Sequence, residues 1–147
     1  MRVVLQRVRS AAVKVDGNQI AQINQGFLLL LGVGVEDTSK DVEFLCDKIG
    51  TLRVFPNESG KLHYHLAEVN GAILLVSNFT LYADWRKGRR PSFTMAADPK
   101  IAEQLYLEMA KRFRQKGFSV ALGQFGVSME VALQNDGPCP LFLDSRQ

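Results

Sequence analysis

The chain has little of the side chains that build metal and redox sites: two cysteines, Cys46 and Cys139, and two histidines, His63 and His65, among 147 residues. Cysteines so few and so far apart exclude a disulfide framework and offer no metal-ligand spacing, which fits a reducing cytosol. The histidines stand two apart in LHYHL without a third His, Cys or matched carboxylate, and a zinc site needs three or four ligands, so no metal or other cofactor is expected. Long apolar runs are also missing. GFLLLLGVGV is too short to cross a bilayer and reads as a buried strand. The opening MRVVLQRVRSAAVKVDG alternates charge with apolar residues where a signal peptide would carry an apolar stretch. The expectation is a cytoplasmic protein with no membrane contact. With 46% hydrophobic and 22% charged residues and no low-complexity tract, disorder is excluded as well.

Charge of one sign is scarcely in excess, the formal net being +3. The basic residues nevertheless cluster, as Arg86, Lys87, Arg89 and Arg90 in WRKGRRPSF and as Lys111, Arg112, Arg114 and Lys116 in KRFRQKG. Such clusters bind phosphates, with Trp85 and Phe93 as stacking faces, or simply form a solvated charged surface.

What is present describes one domain over residues 1–147, long enough to bury roughly two thirds of its unfolded surface without staples. Val3, Leu5 and Val8, then Ala11, Val13 and Val15, predict two strands, and Asp16-Gly17-Asn18 a tight hairpin turn. A buried strand is predicted over Phe27–Val35. Thr38, three residues before Asp41, opens a helix as a capping box, and Val42, Leu45, Cys46, Ile49 and Leu52 follow at helical spacing, so Cys46 reads as core. A second apolar strand is predicted in AILLVSNFTLY. The second helix starts at Asp98-Pro99 and stops at Gly117, with Ala102, Leu105, Tyr106, Met109 and Phe113 as its inner stripe. FSVALGQFGVSMEVALQNDGPCPLFLD reads as three short strands, with Gly137-Pro138 at the corner between the last two. The fold class expected is α/β: a β-rich, barrel-like sheet packed with two long helices.

Asn135-Asp136-Gly137-Pro138 is ordinary turn punctuation, but a proline also permits a cis bond at low cost and so a special backbone shape. No Ser-His-Asp or Cys-His combination announces a hydrolase. Thr80, at the end of the SNFTLYAD strand, is either a nucleophile or a β-branched strand residue, and the second reading is favoured. Cys139 is a weaker candidate because no basic partner is evident.

Taken in order, MRVVLQRVRSAAVKVDG, GFLLLLGV, SNFTLYAD, KGRRPSF, FGVSMEVALQNDGP and the closing LDS resemble the D-aminoacyl-tRNA deacylases over essentially the whole chain. The resemblance implies a homodimeric, metal-free hydrolase that cleaves D-aminoacyl-tRNA, and glycine mischarged on tRNA, as a translational proofreader. It implies a pocket strand at Ser77, Asn78, Phe79 and Thr80, with Phe125 and Met129 beside the terminal adenosine. Gly137 and Pro138 would form a cis peptide acting across the dimer as a chiral filter that rejects L-esters, with Arg7 bracing it. Contact of Arg86, Lys87, Arg89 and Arg90 with tRNA phosphates is inferred from charge. The chain departs from the family pattern at Asn78, where Gln is usual, at Cys139-Pro140, where Val-Thr is usual, and at Val127-Ser128, where Ala-Asp is usual. Two rival readings accompany this one: a non-catalytic tRNA-binding protein, and a relative with a trans Gly-Pro bond and relaxed chirality.

Overall fold

The structure, a computed structural model, describes residues 1–147. Its elements in chain order are β1 (Arg2–Val15), β2 (Asn18–Ile23), β3 (Gly26–Gly32), α1 (Ser39–Thr51), β4 (Phe55–Pro56), β5 (Leu62–Tyr64), β6 (Ala72–Ser77), a 3-10 turn (Phe79–Tyr82), α2 (Pro99–Gln115), β7 (Ser119–Leu122) and β8 (Glu130–Asp144). β1 is one continuous strand, where two were predicted. Val3 and Leu5 face the helices, whereas Val8, Ala11 and Val13 face the opposite way, and an irregularity in pairing between Val8 and Ser10 accounts for the change of parity. At Asp16 and Gly17 φ is 49° and 80°, the double positive φ of a type I′ hairpin, and Val15 pairs with Asn18 as the turn residues predict.

β2 lies along the C-terminal half of β1 and β3 along its N-terminal half, so the two form a single return path. From there the sheet continues through β6 and β7, both added in parallel. Parallel neighbours need crossovers, and α1 and α2 lie within them. Thr38 caps α1 with the reciprocal bonds of a capping box, and Asp98 caps α2 through the Lys100 N–H at 2.9 Å. Both helices bury their apolar stripes against the face carrying Phe27, Leu29, Leu31, Ile73 and Leu75. Leu28, Leu74 and Val76 point to the opposite face, with Val8, Ala11, Val13 and Ile23. There β2 curls toward β6 and β7, and the sheet closes nearly into a barrel.

Three boundaries differ from the sequence reading. β3 stops at Gly32 short of Val35, β6 stops at Ser77 where the chain winds into the 3-10 turn, and Leu52 caps α1 without belonging to it. Gly137-Pro138 is no corner between strands. β8 runs through it, pairing with β1 at Gln6↔Pro140 and Val8↔Asn135, so that Asp136 to Cys139 bulge out opposite the single residue Arg7.

Candidate active site

Because β6 is buried on both faces and ends at Ser77, the chain leaves the sheet interior at the rim of a cleft of about 930 Å³. Asn78 N–H still bonds the Leu31 carbonyl at 2.7 Å, tying the exit to β3. The Thr80 hydroxyl donates to Asn78 Oδ1 at 2.6 Å. Phe79 is 58% exposed and meets Phe93 edge-on, with ring centres 4.9 Å apart. Phe79 and Thr80 open the 3-10 turn, and the first N–H groups of any helical turn have no acceptor within it, so both are available to a ligand.

The floor of the cleft is the sheet face of Leu28, Leu30 and Val76, extended by Met129, Val131 and Leu133. Phe125 stacks at a tilt on Tyr106, with centroids 5.9 Å apart. A Cβ on Gly123 would lie 2.8 Å from Met129 Sδ, so Met129 is packed directly on the backbone there. Tyr106, whose helical spacing predicts core, and Gln6, which no sequence motif marks, both line the cleft, as does Phe93, predicted only as a stacking face of the basic cluster. Tyr106 donates to the carbonyls of Leu75 at 3.0 Å and Gly123 at 3.2 Å, and burial pushes its phenol up to about 12. Its place on the inner stripe of α2 gave no sign of this. None of the lining residues is Asp, Glu, His, Lys or Cys. The cleft of one chain therefore brings no side-chain base of ordinary pKa to a reacting group, and offers main chain, hydroxyls and apolar walls.

The structure thus gathers Ser77, Asn78, Phe79, Thr80, Phe125 and Met129 in one place. It leaves the other predicted site residues elsewhere. Gly137 and Pro138 are exposed on β8, outside this cleft, and the bond between them is cis. Arg7, 3% exposed, donates to the carbonyls of Asp136 at 2.9 Å, Gly137 at 3.0 Å and Val54. It also pairs with the Asp136 carboxylate at 3.1 Å. Cys139 is buried.

The basic loop is a hairpin-like excursion closed by the Asp84↔Ser92 bridge, with Trp85 76% exposed. Its four cations are not equivalent. Arg86 donates two hydrogen bonds to the Asp84 carboxylate, at 2.8 and 2.7 Å, and these hold the Asp84 carboxyl down at about 2. Lys87, Arg89 and Arg90 have no carboxylate partner. In the segment that carries both histidines, His65 Nε2 faces Glu68 at 3.4 Å and its Nδ1 is buried without a partner. No group of three or more His, Cys, Asp or Glu side chains is placed so that it could hold a metal ion, and no helix is long and apolar enough to cross a membrane.

A family model described as D-Tyr-tRNA(Tyr) deacylase matches residues 4–144. The chain belongs to this deacylase family. A D-aminoacyl-tRNA deacylase of Exiguobacterium sibiricum is 54% identical over 144 residues, 98% of this chain and 99% of the relative. One of Thermosipho africanus is 47% identical over the whole of this chain and 99% of its own length. Among solved structures, the c-Myc DNA Unwinding Element Binding Protein superposes with a TM-score of 0.91 at 40% identity, covering 98% of each chain. A structure described as a "probable eukaryotic D-amino acid tRNA deacylase" superposes with a TM-score of 0.81 at 14% identity, covering 97% of this chain and 96% of that one, and shows the shared deacylase fold. As a member of this family the chain is a hydrolase.

Proposed function

We propose that this deacylase hydrolyses the ester joining a D-amino acid, or mischarged glycine, to the terminal adenosine of tRNA, releasing free amino acid and tRNA in the cytoplasm. The observation that carries the reading is the cleft itself: a main-chain rim at Ser77–Thr80 beside an aromatic and thioether wall, with no acid or base side chain to run a protein-based nucleophile. An aminoacyl ester is already activated, and the neighbouring ribose 2′-hydroxyl assists an attacking water without a protein base. The N–H groups of Phe79 and Thr80 then meet the oxyanion as it forms, each good donor contributing about 3–4 kcal/mol. Thr80 acts through backbone and positioning, its hydroxyl being engaged with Asn78. Phe125 and Met129 flank the adenosine.

Chirality is decided in this reading by a second copy of the chain. Its Gly137-Pro138 main chain enters the cleft, holds the substrate's α-ammonium with carbonyl oxygens, and occupies the space an L side chain would need. Support comes from the exposure of Gly137-Pro138 outside the cleft of its own chain and from Arg7, which ties the Gly137 carbonyl to the sheet. A filter of main-chain atoms needs such bracing. Lys87, Arg89 and Arg90 hold tRNA phosphates, and no metal takes part.

Incubation of the purified protein with D-Tyr-tRNA, Gly-tRNA and L-Tyr-tRNA tests the reading: the first two are released and the third is spared, with or without EDTA. Light scattering at assay concentration gives a dimer. Intact D-Tyr-tRNA after prolonged incubation with folded protein selects the rival, a tRNA-binding protein working through the unpaired cations of the Trp85 loop.

A further inference from the structure

The turn Phe79–Tyr82 is held from behind by groups that none of the roles above uses. Arg2 Nη1 donates to the Leu81 carbonyl at 2.9 Å, and the guanidinium lies 4.4 Å from the centre of the Tyr82 ring. The Tyr82 hydroxyl donates to Asp37 Oδ2 at 3.1 Å. Asp37 is a buried carboxylate that also receives the Met1 ammonium at 2.6 Å and the Gly34 N–H at 2.6 Å. A buried charge is tolerated only when paired and hydrogen-bonded in this way, and the arrangement makes Asp37 an immobile anchor. Glycines clear the seat in front: a Cβ on Gly34 would come within 2.6 Å of the Tyr82 ring, and one on Gly32 within 2.9 Å of Leu81 Cβ and 3.1 Å of the Asn78 carbonyl. On the cleft side Phe79 and Thr80 are exposed, and the turn is met there by the edge-on contact of Phe93 with Phe79 and by the bond from the Thr80 hydroxyl to Asn78.

We propose that Tyr82, clamped between Arg2 and the Asp37–Met1 pair, is a positioning residue for deacylation: it sets the attitude of the Phe79–Tyr82 turn and so of the main chain that meets the ester. A single 3-10 turn has poor hydrogen-bond geometry of its own and takes its orientation from what it is packed on. Asn78 N–H on Leu31 secures one end of this turn, and Arg2, Tyr82 and Asp37 secure the other. The reaction assigned to the site rests on the deacylase reading, whereas the clamp rests on the contacts alone.

Tyr82→Phe removes the hydroxyl and leaves the ring, its packing and its contact with Arg2. We expect kcat for D-Tyr-tRNA to fall about tenfold, less than the roughly hundredfold that a misplacement of about 1 Å costs, with KM unchanged and the protein still folded at assay temperature, although the loss of a donor to the buried Asp37 lowers its melting temperature. Amide hydrogen exchange of the segment 78–84, followed by mass spectrometry, should quicken while exchange in β6 does not. Arg2→Gln, which releases the Leu81 carbonyl from the other side, should give the same split between kcat and KM. An active wild type with an unaltered kcat and unaltered exchange in Tyr82→Phe overturns the positioning role alone, as does a loss of activity that merely tracks loss of folded protein. Absence of hydrolysis by the folded wild-type protein overturns the deacylase reading, and the catalytic part of the proposal with it.

Discussion

Replacing Arg7 should cost the protein both stability and chiral discrimination, by amounts that its contacts set. The guanidinium sits opposite the bulge Asp136–Cys139 and donates to three carbonyls, those of Val54, Asp136 and Gly137, while pairing with the Asp136 carboxylate. Hydrogen bonds to a charged donor contribute about 1.5–3 kcal/mol each, but the carbonyls on the exposed bulge regain water when Arg7 is removed. The Val54 carbonyl, deep in the chain, does not. Truncation of a buried, paired charge of this kind costs about 3–5 kcal/mol, so Arg7→Ala should remove a large part of a total stability of about 5–15 kcal/mol. Arg7→Lys keeps the charge but offers one compact ammonium where a planar fork met several acceptors, and a loss of roughly 2 kcal/mol follows from the bonds left unmade. Urea unfolding measures both losses. On protein confirmed as folded, the ratio of D-Tyr-tRNA to L-Tyr-tRNA hydrolysis should drop in Arg7→Lys, because the Gly137 carbonyl is no longer held. Unfolding free energy within about 1 kcal/mol of wild type in Arg7→Ala, or an unchanged D/L ratio in Arg7→Lys, would refute the reasoning.

Gly34→Ala should destabilise by about 1–3 kcal/mol, since its new methyl meets the Tyr82 ring at 2.6 Å in a seat with no slack, and urea midpoints will show it. Gly123→Ala meets only the flexible end of Met129, at 2.8 Å, so it should leave the urea midpoint close to wild type while raising KM for aminoacyl-tRNA. In a salt titration of tRNA binding, Ala at Lys87, Arg89 or Arg90 should each lower the log–log slope by about 0.7–0.9, whereas Arg86→Ala should leave it unchanged. Asp84, held down at about 2 by its bonds to Arg86, keeps that pair intact above the ordinary carboxylate range and releases it only as pH falls through about 2, so the Arg86 result should be the same at pH 5 and pH 8. Burial pushes the Cys46 thiol up to about 12, and iodoacetamide at pH 8 should therefore not label it until the protein unfolds.

Periodicity and capping chemistry are local, and the parts of the molecule that depend on them were legible in the residues. The two helices begin at Thr38 and Asp98 because side chains there satisfy first-turn N–H groups that no other part of the chain supplies. Asp16-Gly17 closes a hairpin because both residues accept positive φ. The family, too, was readable from the order of motifs, as the match over residues 4–144 confirms. Where a long-range partner decides, local pattern misled. Val3 to Val15 carries a change of parity that looks like a break, but pairing with β3 and β2 on one edge and β8 on the other holds it as one strand with a bulge. SNFTLY has strand composition and nevertheless winds into a 3-10 turn, because Tyr82 must reach Asp37 and Leu81 must face Arg2. Tyr106 has the spacing of a core residue, and only the approach of β6 and β7 gives its hydroxyl two carbonyls and a place on the cleft wall. The four neighbouring cations are told apart by a local contact instead: Asp84, two residues before Arg86, pairs with it and leaves the other three unpaired. Residue types and spacing determine which elements form and which chemistry is on offer, since those are matters of a few neighbouring bonds. Which groups meet, and which stay free to meet a ligand, was decided by the sheet that brings residues remote along the chain to one cleft.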